Sequence, residues 1–197
     1  ASKGLFQFDL WGVEVDNSLF DWTKTRADMI KHGLRNSLLV AQMPTASSAI
    51  FCSGGVESIE AITSLIYNRR TISGEFVVIC RHLVNDLVEL GMWNTDMKDK
   101  IVGGGGSIQH IQEIPAKLRE VYKTVWEISQ KTVLDQAIAR GKYICQSVSQ
   151  NAFFESPTVS KLSSYIFYGW KGGLKTSLYY LRTRPVADAL KFTVPSE

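Results

Sequence analysis

The sequence YIFYGWKGGLKTSLYYLRTRP, residues 165–185, carries two adjacent tyrosines between a helix-like and a strand-like segment, framed by glycines and basic residues. Neighbouring residues on a strand point to opposite faces, so one ring of such a pair can pack while the other covers the surface. Tyr179 and Tyr180 therefore allow a structural interpretation as well as a chemical one. The rest of the chain is needed to choose between the two.

The composition is that of a folded domain without a strong charge. The 197 residues are 45% hydrophobic, which is enough to build a core, and the formal net charge is only +3. So small a charge favours neither nucleic acid nor a membrane surface as a partner. The sequence shows no charged-then-apolar leader and no apolar run near the roughly 20 residues that span a bilayer. We therefore expect a soluble, cytoplasmic protein.

Three cysteines are spread widely along the chain. Cys52, Cys80 and Cys145 are odd in number and have no histidine at ligand spacing, which fits neither a disulfide framework nor a zinc site. We expect free thiols that are buried or half-buried, and no metal site. Cys52 is the exception, because it borders residues 53–56, a Gly- and Ser-rich stretch interpreted as a flexible link, where a thiol can be exposed.

The apolar periodicity predicts helices and strands in alternation. From Asp21 to Leu34, apolar and charged residues are spaced as on a surface helix that Asp21 can cap and Gly33 can end. Residues 37–41, SLLVA, predict a short buried strand. Further along, the pattern predicts strands at 66–71 and 75–79, helices at 82–90, 95–102, 115–128, 132–140 and 160–169, extended segments at 143–145 and 148–154, and a loop or hinge at 103–106. Together these elements predict an α/β fold in one domain.

Directly after the predicted strand lies a loop of small and hydroxylic residues, namely Pro44, Thr45, Ala46, Ser47 and Ser48. At the start of a helix the first backbone N–H groups have no partner within the helix, and hydroxyl groups add further donors, so such a loop can hold a phosphate or diphosphate. The same residues also make an ordinary helix cap. The turn lacks the glycines of a Walker loop.

Four motifs, in order along the chain, give the sequence a specific resemblance. They are RNSLLVA and MPTAS within 35–47, IY, RR and SGEF between 66 and 76, VYKTVWEISQKT at 121–132, and FYGWK at 167–171 continuing through Pro185. Over nearly its whole length the chain resembles the C-terminal part of the large subunit of eukaryotic and viral class I ribonucleotide reductase. The resemblance implies an α/β fold that is the C-terminal portion of the family's ten-stranded α/β barrel, with residues 1–197 forming a single partial domain.

The resemblance also implies a function and roles for individual residues. The family reduces ribonucleoside diphosphates to deoxyribonucleotides, the precursors of DNA, by a radical mechanism. Residues 44–48 match its substrate-phosphate loop, and Tyr179 and Tyr180 match the pair that relays the radical toward an active-site cysteine. A metal-containing small subunit supplies the radical and an external dithiol supplies electrons, so no cofactor is expected on this chain. The implied partners are the substrate, the small subunit and the remainder of the large subunit, in an oligomer.

Other parts of the family's machinery are expected outside this sequence. In the family, the cysteine that becomes a thiyl radical, the redox-active pair beside it and the regulatory nucleotide sites lie upstream of the matching region, and a cysteine-bearing tail follows it. None of Cys52, Cys80 and Cys145 falls on a catalytic position of the family. We therefore expect this polypeptide alone to be unable to reduce a nucleotide.

The chain also departs from the family pattern in two stretches. Residues 50–57 are one residue longer than is usual, Ala61 replaces a proline, and residues 145–149 replace an Asp-Gln-Ser-Gln-Ser run. These departures, which lie within 50–61 and 145–154, motivate an alternative in which the chain is a catalytically degenerate homologue that binds other proteins. A further alternative is an unrelated α/β module that binds a phosphorylated small molecule.

Overall fold

The computed structural model describes residues 2–52 and 56–184. Most of the predicted flexible link and the last residue of the tyrosine motif, Pro185, lie outside the described residues. The helices in these ranges are α1 Gln7–Trp11, α2 Trp22–His32, α3 Ser48–Cys52, α4 Arg81–Glu89, α5 Thr95–Gly103, α6 Ala116–Val121, α7 Gln130–Gly141 and α8 Val159–Lys171. The strands in these ranges are β1 Ile66–Thr71, β2 Gly74–Ile79, β3 Ala152–Phe153 and β4 Leu181–Arg182.

The helix α2 begins and ends where the local sequence signals place it. The Asp21 carboxylate caps its start by accepting a hydrogen bond from the backbone N–H of Lys24 at 2.9 Å. Gly33 ends it with a φ of +72°, and its N–H donates to the carbonyl of Met29 at 2.9 Å. The predicted helix is confirmed, and so are the later helices that became α4, α5, α7 and α8, each within two residues of its predicted bounds.

The strands β1 and β2 confirm two further predictions and join as an antiparallel hairpin. Ile66 lies opposite Ile79 and Thr71 lies opposite Gly74, so residues 72–73 form the turn. Burial decreases along β1 from Ile66, which is buried, to the exposed turn. One end of the hairpin therefore belongs to the interior, and the other end projects into solvent.

A hydrophobic core, called here the first core, lies between the hairpin and the helices α4 and α5. Leu83 and Leu87 of α4 are four residues apart and so share the face of the helix that is buried. The buried members of the first core are Leu65, Ile66, Leu83, Leu87, Met97, Ile101, Val102, Ile108, Ile111 and Ile114. Because all of them come from one continuous stretch of sequence, this core forms from neighbours that are close along the chain.

A second core lies between α7, α8 and the parallel pair of β3 and β4. Its buried members are Leu134, Ala137, Ala152, Tyr165 and Leu174. In the strand pair Ala152 lies opposite Leu181, which brings the end of the tyrosine motif against the predicted extended segment 148–154. Within that segment, only Ala152–Phe153 is a strand. The second core thus fixes the position of the chain that carries the two tyrosines.

The predicted buried strand at 37–41 is wrong for this structure. The apolar side chains of residues 38–40 are between 45% and 59% exposed, and no strand is assigned within this described segment. The backbone contacts lie on one side, where the carbonyl of Val40 accepts from the N–H of Gln146 at 3.2 Å and Gln42, just beyond the segment, forms a parallel bridge with Val148. A buried parallel strand needs cover on both faces and a neighbour on each edge. The described residues supply a neighbour on one edge, so the segment stays exposed.

Two other predictions are wrong because tertiary contacts outweigh local preference. The helix predicted over 115–128 ends at Val121, and the N–H of Val125 donates to the carbonyl of Ile62 at 2.8 Å. This bond ties the chain to the residues beside the first core and ends the helical hydrogen-bond pattern. The segment 143–145, predicted to be extended, is a turn and bend that follows α7.

The loop predicted at 103–106 is confirmed from Gly104 onward, whereas Gly103 ends α5, and at Gly106 the loop is not a surface hinge. Gly106 is buried, has a φ of +81° and accepts a hydrogen bond from the N–H of Leu65 at 2.9 Å. A Cβ atom at this position would lie only 1.7 Å from the hydroxyl oxygen of Ser64. Glycine is required here because the loop backbone approaches the start of β1 so closely.

Candidate functional site

The two tyrosines singled out in the sequence lie between α8 and β4. Tyr179 is 53% exposed and Tyr180 is 49% exposed, and neither belongs to the first or the second core. Their ring centroids are 4.2 Å apart, with the ring planes tilted by 57°. The rings are therefore in contact with each other and are both accessible from solvent.

The Tyr180 side chain also affects the ionisation of Tyr179. A hydrogen bond with the Tyr180 hydroxyl, together with the repulsion that an ionised Tyr180 exerts, raises the pKa of Tyr179 above its ordinary value. Tyr179 therefore keeps its proton to a higher pH than an ordinary tyrosine does. The guanidinium group of Arg182 lies 4.9 Å from the centre of the Tyr180 ring, in a cation–π contact that stabilises this ring's position.

The backbone of the pair is held by residues 150–152. The N–H of Tyr179 donates to the carbonyl of Gln150 at 2.7 Å, and the N–H of Ala152 donates to the carbonyl of Tyr180 at 2.9 Å. The N–H of Tyr180 donates to the side-chain oxygen Oδ1 of Asn151 at 3.2 Å. Three hydrogen bonds thus fix the register of the tyrosines against this segment.

The predicted phosphate loop turns directly into the start of α3. Pro44 and residues 46–48 are exposed, whereas Thr45 is half-buried. Thr45 has a left-handed φ of +52°, and its carbonyl accepts a hydrogen bond from the N–H of Ala49 at 2.9 Å. The turn into a helix that the sequence predicts is confirmed, and its exposed edge consists of the small and hydroxylic residues of the loop.

The phosphate loop and the tyrosine pair are attached to the same segment, residues 148–152, which we call the shared segment. The carbonyl of Gln42, just before the loop, accepts a hydrogen bond from the N–H of Ser149 at 3.0 Å. Ser58 adds a second connection, because its N–H donates to Oγ1 of Thr45 at 2.7 Å and its hydroxyl donates to the carbonyl of Ser149 at 2.8 Å. The two candidate site elements are therefore built on one support.

An open cavity of about 1020 Å³ adjoins the shared segment. Residues of α3, of the hairpin, of the start of α4 and of β4 line it. The lining includes the charged side chains of Glu60, Arg69 and Arg182, the amide of Asn151 and the ring of Trp126. Because carboxylate and guanidinium groups both face this space, its charge favours no single class of ligand.

Comparison with known proteins assigns the chain to a family. The family model described as "Ribonucleotide reductase, barrel domain" matches residues 1–180. This chain belongs to the ribonucleotide reductase barrel family. It is 54% identical, over 194 residues, to the ribonucleoside-diphosphate reductase large subunit of Plasmodium falciparum, covering 98% of this chain and 24% of that protein. The large subunit of Danio rerio is 52% identical over 197 residues, covering 100% of this chain and 25% of that protein.

A solved ribonucleotide reductase structure has the same fold. The class Id ribonucleotide reductase alpha subunit of Actinobacillus ureae superposes with a TM-score of 0.69 at 29% identity, covering 79% of this chain and 28% of that chain. The resemblance to class I large subunits and the α/β barrel fold that it implied are both confirmed. The chain spans about a quarter of the length of the curated relatives it matches. The assignment of residues 1–197 to one partial domain stays a prediction.

Sequence reasoning missed three polar residues around the tyrosines of this ribonucleotide reductase barrel. Ser58, Glu60 and Asn151 take part in hydrogen bonds that join positions 91 residues apart, so no local periodicity signals them. One signal was present nonetheless. The two stretches that depart from the family pattern, 50–61 and 145–154, are the ones that these hydrogen bonds join.

The cysteines are free, as the sequence predicts. Cys52 is exposed, although it ends α3 and does not lie in a loop, and Cys80 and Cys145 are half-buried. Within residues 2–52 and 56–184, no group of three or more His, Cys, Asp and Glu side chains is placed to hold a metal ion. No helix in the same ranges combines the length and the apolar character needed to span a bilayer.

Proposed function

We propose that this chain is part of a ribonucleoside-diphosphate reductase large subunit and contributes two elements to the reaction. One is a loop for the phosphates of a ribonucleoside diphosphate, and the other is a tyrosine pair that relays a radical. The relatives bear the name of this subunit, and the chain spans about a quarter of their length. The complete reaction therefore belongs to the whole subunit, and the chain alone is inactive because the reducing cysteines lie elsewhere in it.

The observation that carries the proposal is the contact between Tyr179 and Tyr180. With ring centroids 4.2 Å apart, the two phenols are close enough for a short transfer step. A phenoxyl radical on one ring takes one electron and one proton from the neighbouring phenol, which then becomes the radical. A tyrosine is protonated at neutral pH, so the neighbouring phenol holds the proton that the step requires, and the raised pKa of Tyr179 keeps it protonated to higher pH.

Exposure supports partners at two places on the chain. The half-exposed tyrosine rings offer a surface at which a metal-containing small subunit delivers the radical. The exposed apolar residues 38–40 offer an apolar surface, which the remainder of the large subunit covers when the barrel is complete. An external dithiol then restores the cysteines that reduce the substrate.

The phosphate loop is proposed from its position at the start of α3. The N–H groups of Ala49 and Ile50 in its first turn already donate to the carbonyls of Thr45 and Ser47. The proposed donors to phosphate oxygens are therefore the hydroxyls of Ser47 and Ser48, which lie at the exposed edge of this turn. The hydrogen bonds from Ser58 hold this loop on the segment that also holds the tyrosines. A bound diphosphate and the radical relay thus share one support.

The test of the tyrosine pair is Tyr180→Phe in the full-length large subunit, assayed with its small subunit. Phenylalanine keeps the ring but has no hydroxyl proton to give up, so we expect turnover to fall by at least about 1000-fold, or about 4 kcal/mol in the barrier. Thermal unfolding and the affinity for a ribonucleoside diphosphate should remain unchanged. Tyr143→Phe removes a hydroxyl from another partly exposed tyrosine and is the matched control. Retained turnover in Tyr180→Phe contradicts the relay.

The test of the loop is calorimetric binding of a ribonucleoside diphosphate to the full-length subunit. Ala46→Asp places a carboxylate beside the diphosphate, and we expect the affinity to fall by about 10-fold or more, since like charges at about 4 Å repel by 1 to 4 kcal/mol near a surface. Ala46→Asn has the same shape without the charge and should bind within about 3-fold of the parent. Equal affinities in all three proteins contradict the loop assignment. A parent protein that binds no diphosphate favours the degenerate homologue.

A further inference from the structure

The hydrogen bonds that lead from Tyr180 into the rest of the chain converge on one carboxylate. The N–H of Tyr180 donates to Oδ1 of Asn151 at 3.2 Å. Asn151 in turn donates twice to Glu60, from its backbone N–H to Oε1 at 2.7 Å and from Nδ2 to Oε2 at 3.1 Å. We propose that Glu60 and Asn151 are positioning residues for Tyr180, a role that rests on the proposed radical transfer through the tyrosine pair.

The chemistry of the two side chains determines their orientation. An ionised carboxylate only accepts hydrogen bonds, whereas the amide of an asparagine has one donating end and one accepting end. Glu60 therefore turns the NH2 group of Asn151 toward itself, and the carbonyl oxygen of the amide is left to face Tyr180. If the amide were reversed, its NH2 group would meet the N–H of Tyr180, and both contacts would be lost.

Glu60 is itself held close to the shared segment. Ser58, two residues earlier, donates its hydroxyl proton to the carbonyl of Ser149 at 2.8 Å, two residues before Asn151. Residues 58–60 therefore run alongside residues 149–151, with hydrogen bonds at both ends. Glu60 and Asn151 are each half-buried, so water competes only partly for their hydrogen bonds. The Glu60 carboxylate therefore holds the side chain of Asn151 in one orientation.

Tyr180 depends on this arrangement because its ring has no place in a core. The ring is half exposed and lies against Tyr179 and the guanidinium of Arg182, so packing alone does not define its position. The position of Tyr180 is fixed instead by the hydrogen bonds to residues 150–152. Among them, the side chain of Asn151 accepts the hydrogen bond from the N–H of Tyr180. Displacements of about 1 Å in a reacting group can cost on the order of 100-fold in rate.

The test exchanges the donor and the acceptor between the two positions in the full-length subunit. Glu60→Gln gives position 60 an NH2 group that faces the NH2 group of Asn151, so two donors meet. If the new amide at position 60 turns over, its NH2 group meets the backbone N–H of Asn151, and if the Asn151 amide turns over, its NH2 group meets the N–H of Tyr180. Asn151→Asp sets two carboxylates against each other. In the double variant E60Q/N151D, the new amide accepts from the backbone N–H of position 151 and donates to the new carboxylate, whose other oxygen accepts from Tyr180. The net charge of the pair is the same as in the parent.

We expect each single variant to lower kcat by about 10- to 100-fold while the affinity for a ribonucleoside diphosphate changes by less than about 2-fold. The double variant should recover kcat to within about 3-fold of the parent, a strongly non-additive result. Hydrogen exchange at the amide of Tyr180, measured without turnover, should speed up in both single variants and slow again in the double. Glu113→Gln, which alters a surface carboxylate bonded to Lys100 at 2.7 Å, is the control for loss of a negative charge and should leave kcat and exchange unchanged.

Tyr180→Phe is assayed in parallel so that two failures can be told apart. If Tyr180→Phe is inactive but both single variants keep full turnover and slow exchange at Tyr180, the positioning role is overturned and the relay stands. If the single variants lose turnover and the double variant recovers neither turnover nor exchange, the positioning role is also overturned. If Tyr180→Phe keeps its turnover, the proposed relay itself fails, and the positioning role fails with it.

Discussion

Two apolar segments of similar composition, residues 37–41 (SLLVA) and 62–66 (ITSLI), end in opposite environments. Leu65 is 0% exposed and Ile66 is 1% exposed, whereas Leu39 is 59% exposed. The difference is not in hydrophobicity or strand preference, which the two segments share. It teaches that an apolar run indicates what can be buried, while the neighbouring chain determines what is buried.

In the second segment, both backbone polar groups of Leu65 are paired within the region of the first core. The N–H of Leu65 donates to the carbonyl of Gly106 at 2.9 Å, and the carbonyl of Leu65 accepts from the N–H of Cys80 at 2.8 Å. The first segment and the adjacent Gln42 contact only residues 146–149 through their backbone, more than a hundred positions away and on one side, among the described residues. Residues 62–122 thus complete their own core, and we infer that residues 37–41 are completed by the remainder of the barrel.

The largest effect that this comparison predicts is the destabilisation of the chain by Leu65→Ala. Removing a fully buried leucine side chain costs its transfer free energy and leaves a cavity, so we expect a loss of about 3 kcal/mol in the free energy of unfolding. Leu39→Ala in the same 197-residue chain is the matched control and should change the free energy by less than about 0.5 kcal/mol. Urea unfolding monitored by circular dichroism measures both. Similar losses for the two variants contradict the difference in burial.

A somewhat smaller effect is expected when Leu39→Ala is made in the full-length large subunit. If the rest of the barrel covers residues 37–41, the same substitution removes a buried side chain and should cost about 2 kcal/mol. Leu65→Ala should cost about the same in the full-length protein as in this chain, because its neighbours are the same in both. A full-length Leu39→Ala variant that unfolds like its parent shows that the segment stays uncovered and that the inferred partner surface is wrong.

The contrast also explains which parts of the fold could be predicted from the sequence. The bounds of α2 follow from residues within it or beside it, namely the Asp21 cap and Gly33, and they were predicted. The end of α6 at Val121 depends on the hydrogen bond between Val125 and the carbonyl of Ile62, about sixty residues earlier, and it was missed. Local signals are readable in one sequence, whereas contacts of this range require the fold.

The candidate site also contains residues that the sequence reveals and residues that only the fold reveals. Tyr179, Tyr180 and residues 44–48 were found because each is a short contiguous motif. Glu60 and Asn151 were not, since their meaning comes from a contact with each other across 91 positions. A single carboxylate or amide in a polar stretch has many ordinary roles on a protein surface. Only the fold shows that these two face each other and the backbone of Tyr180.

The smallest expected change in stability comes from a hydrogen bond within the region 62–122, which contains the first core. The hydroxyl of Tyr122 donates to Oδ2 of Asp86 on α4 at 2.5 Å, and Tyr122→Phe should cost about 1 kcal/mol in the free energy of unfolding.

Burial, and then the hydrogen bond and negative charge of Asp86, raise the pKa of Tyr122 above its ordinary value. The unfolded chain therefore releases this proton first, so this contribution to stability is fully present below about pH 10 and declines above it. Urea unfolding between pH 8 and about pH 11 measures how the free energy of unfolding declines, and the decline should be smaller for Tyr122→Phe than for the parent. Tyr143→Phe, which lies outside residues 62–122, is the control and should decline like the parent. Equal declines in all three proteins would show that the alkaline loss of stability comes from another group.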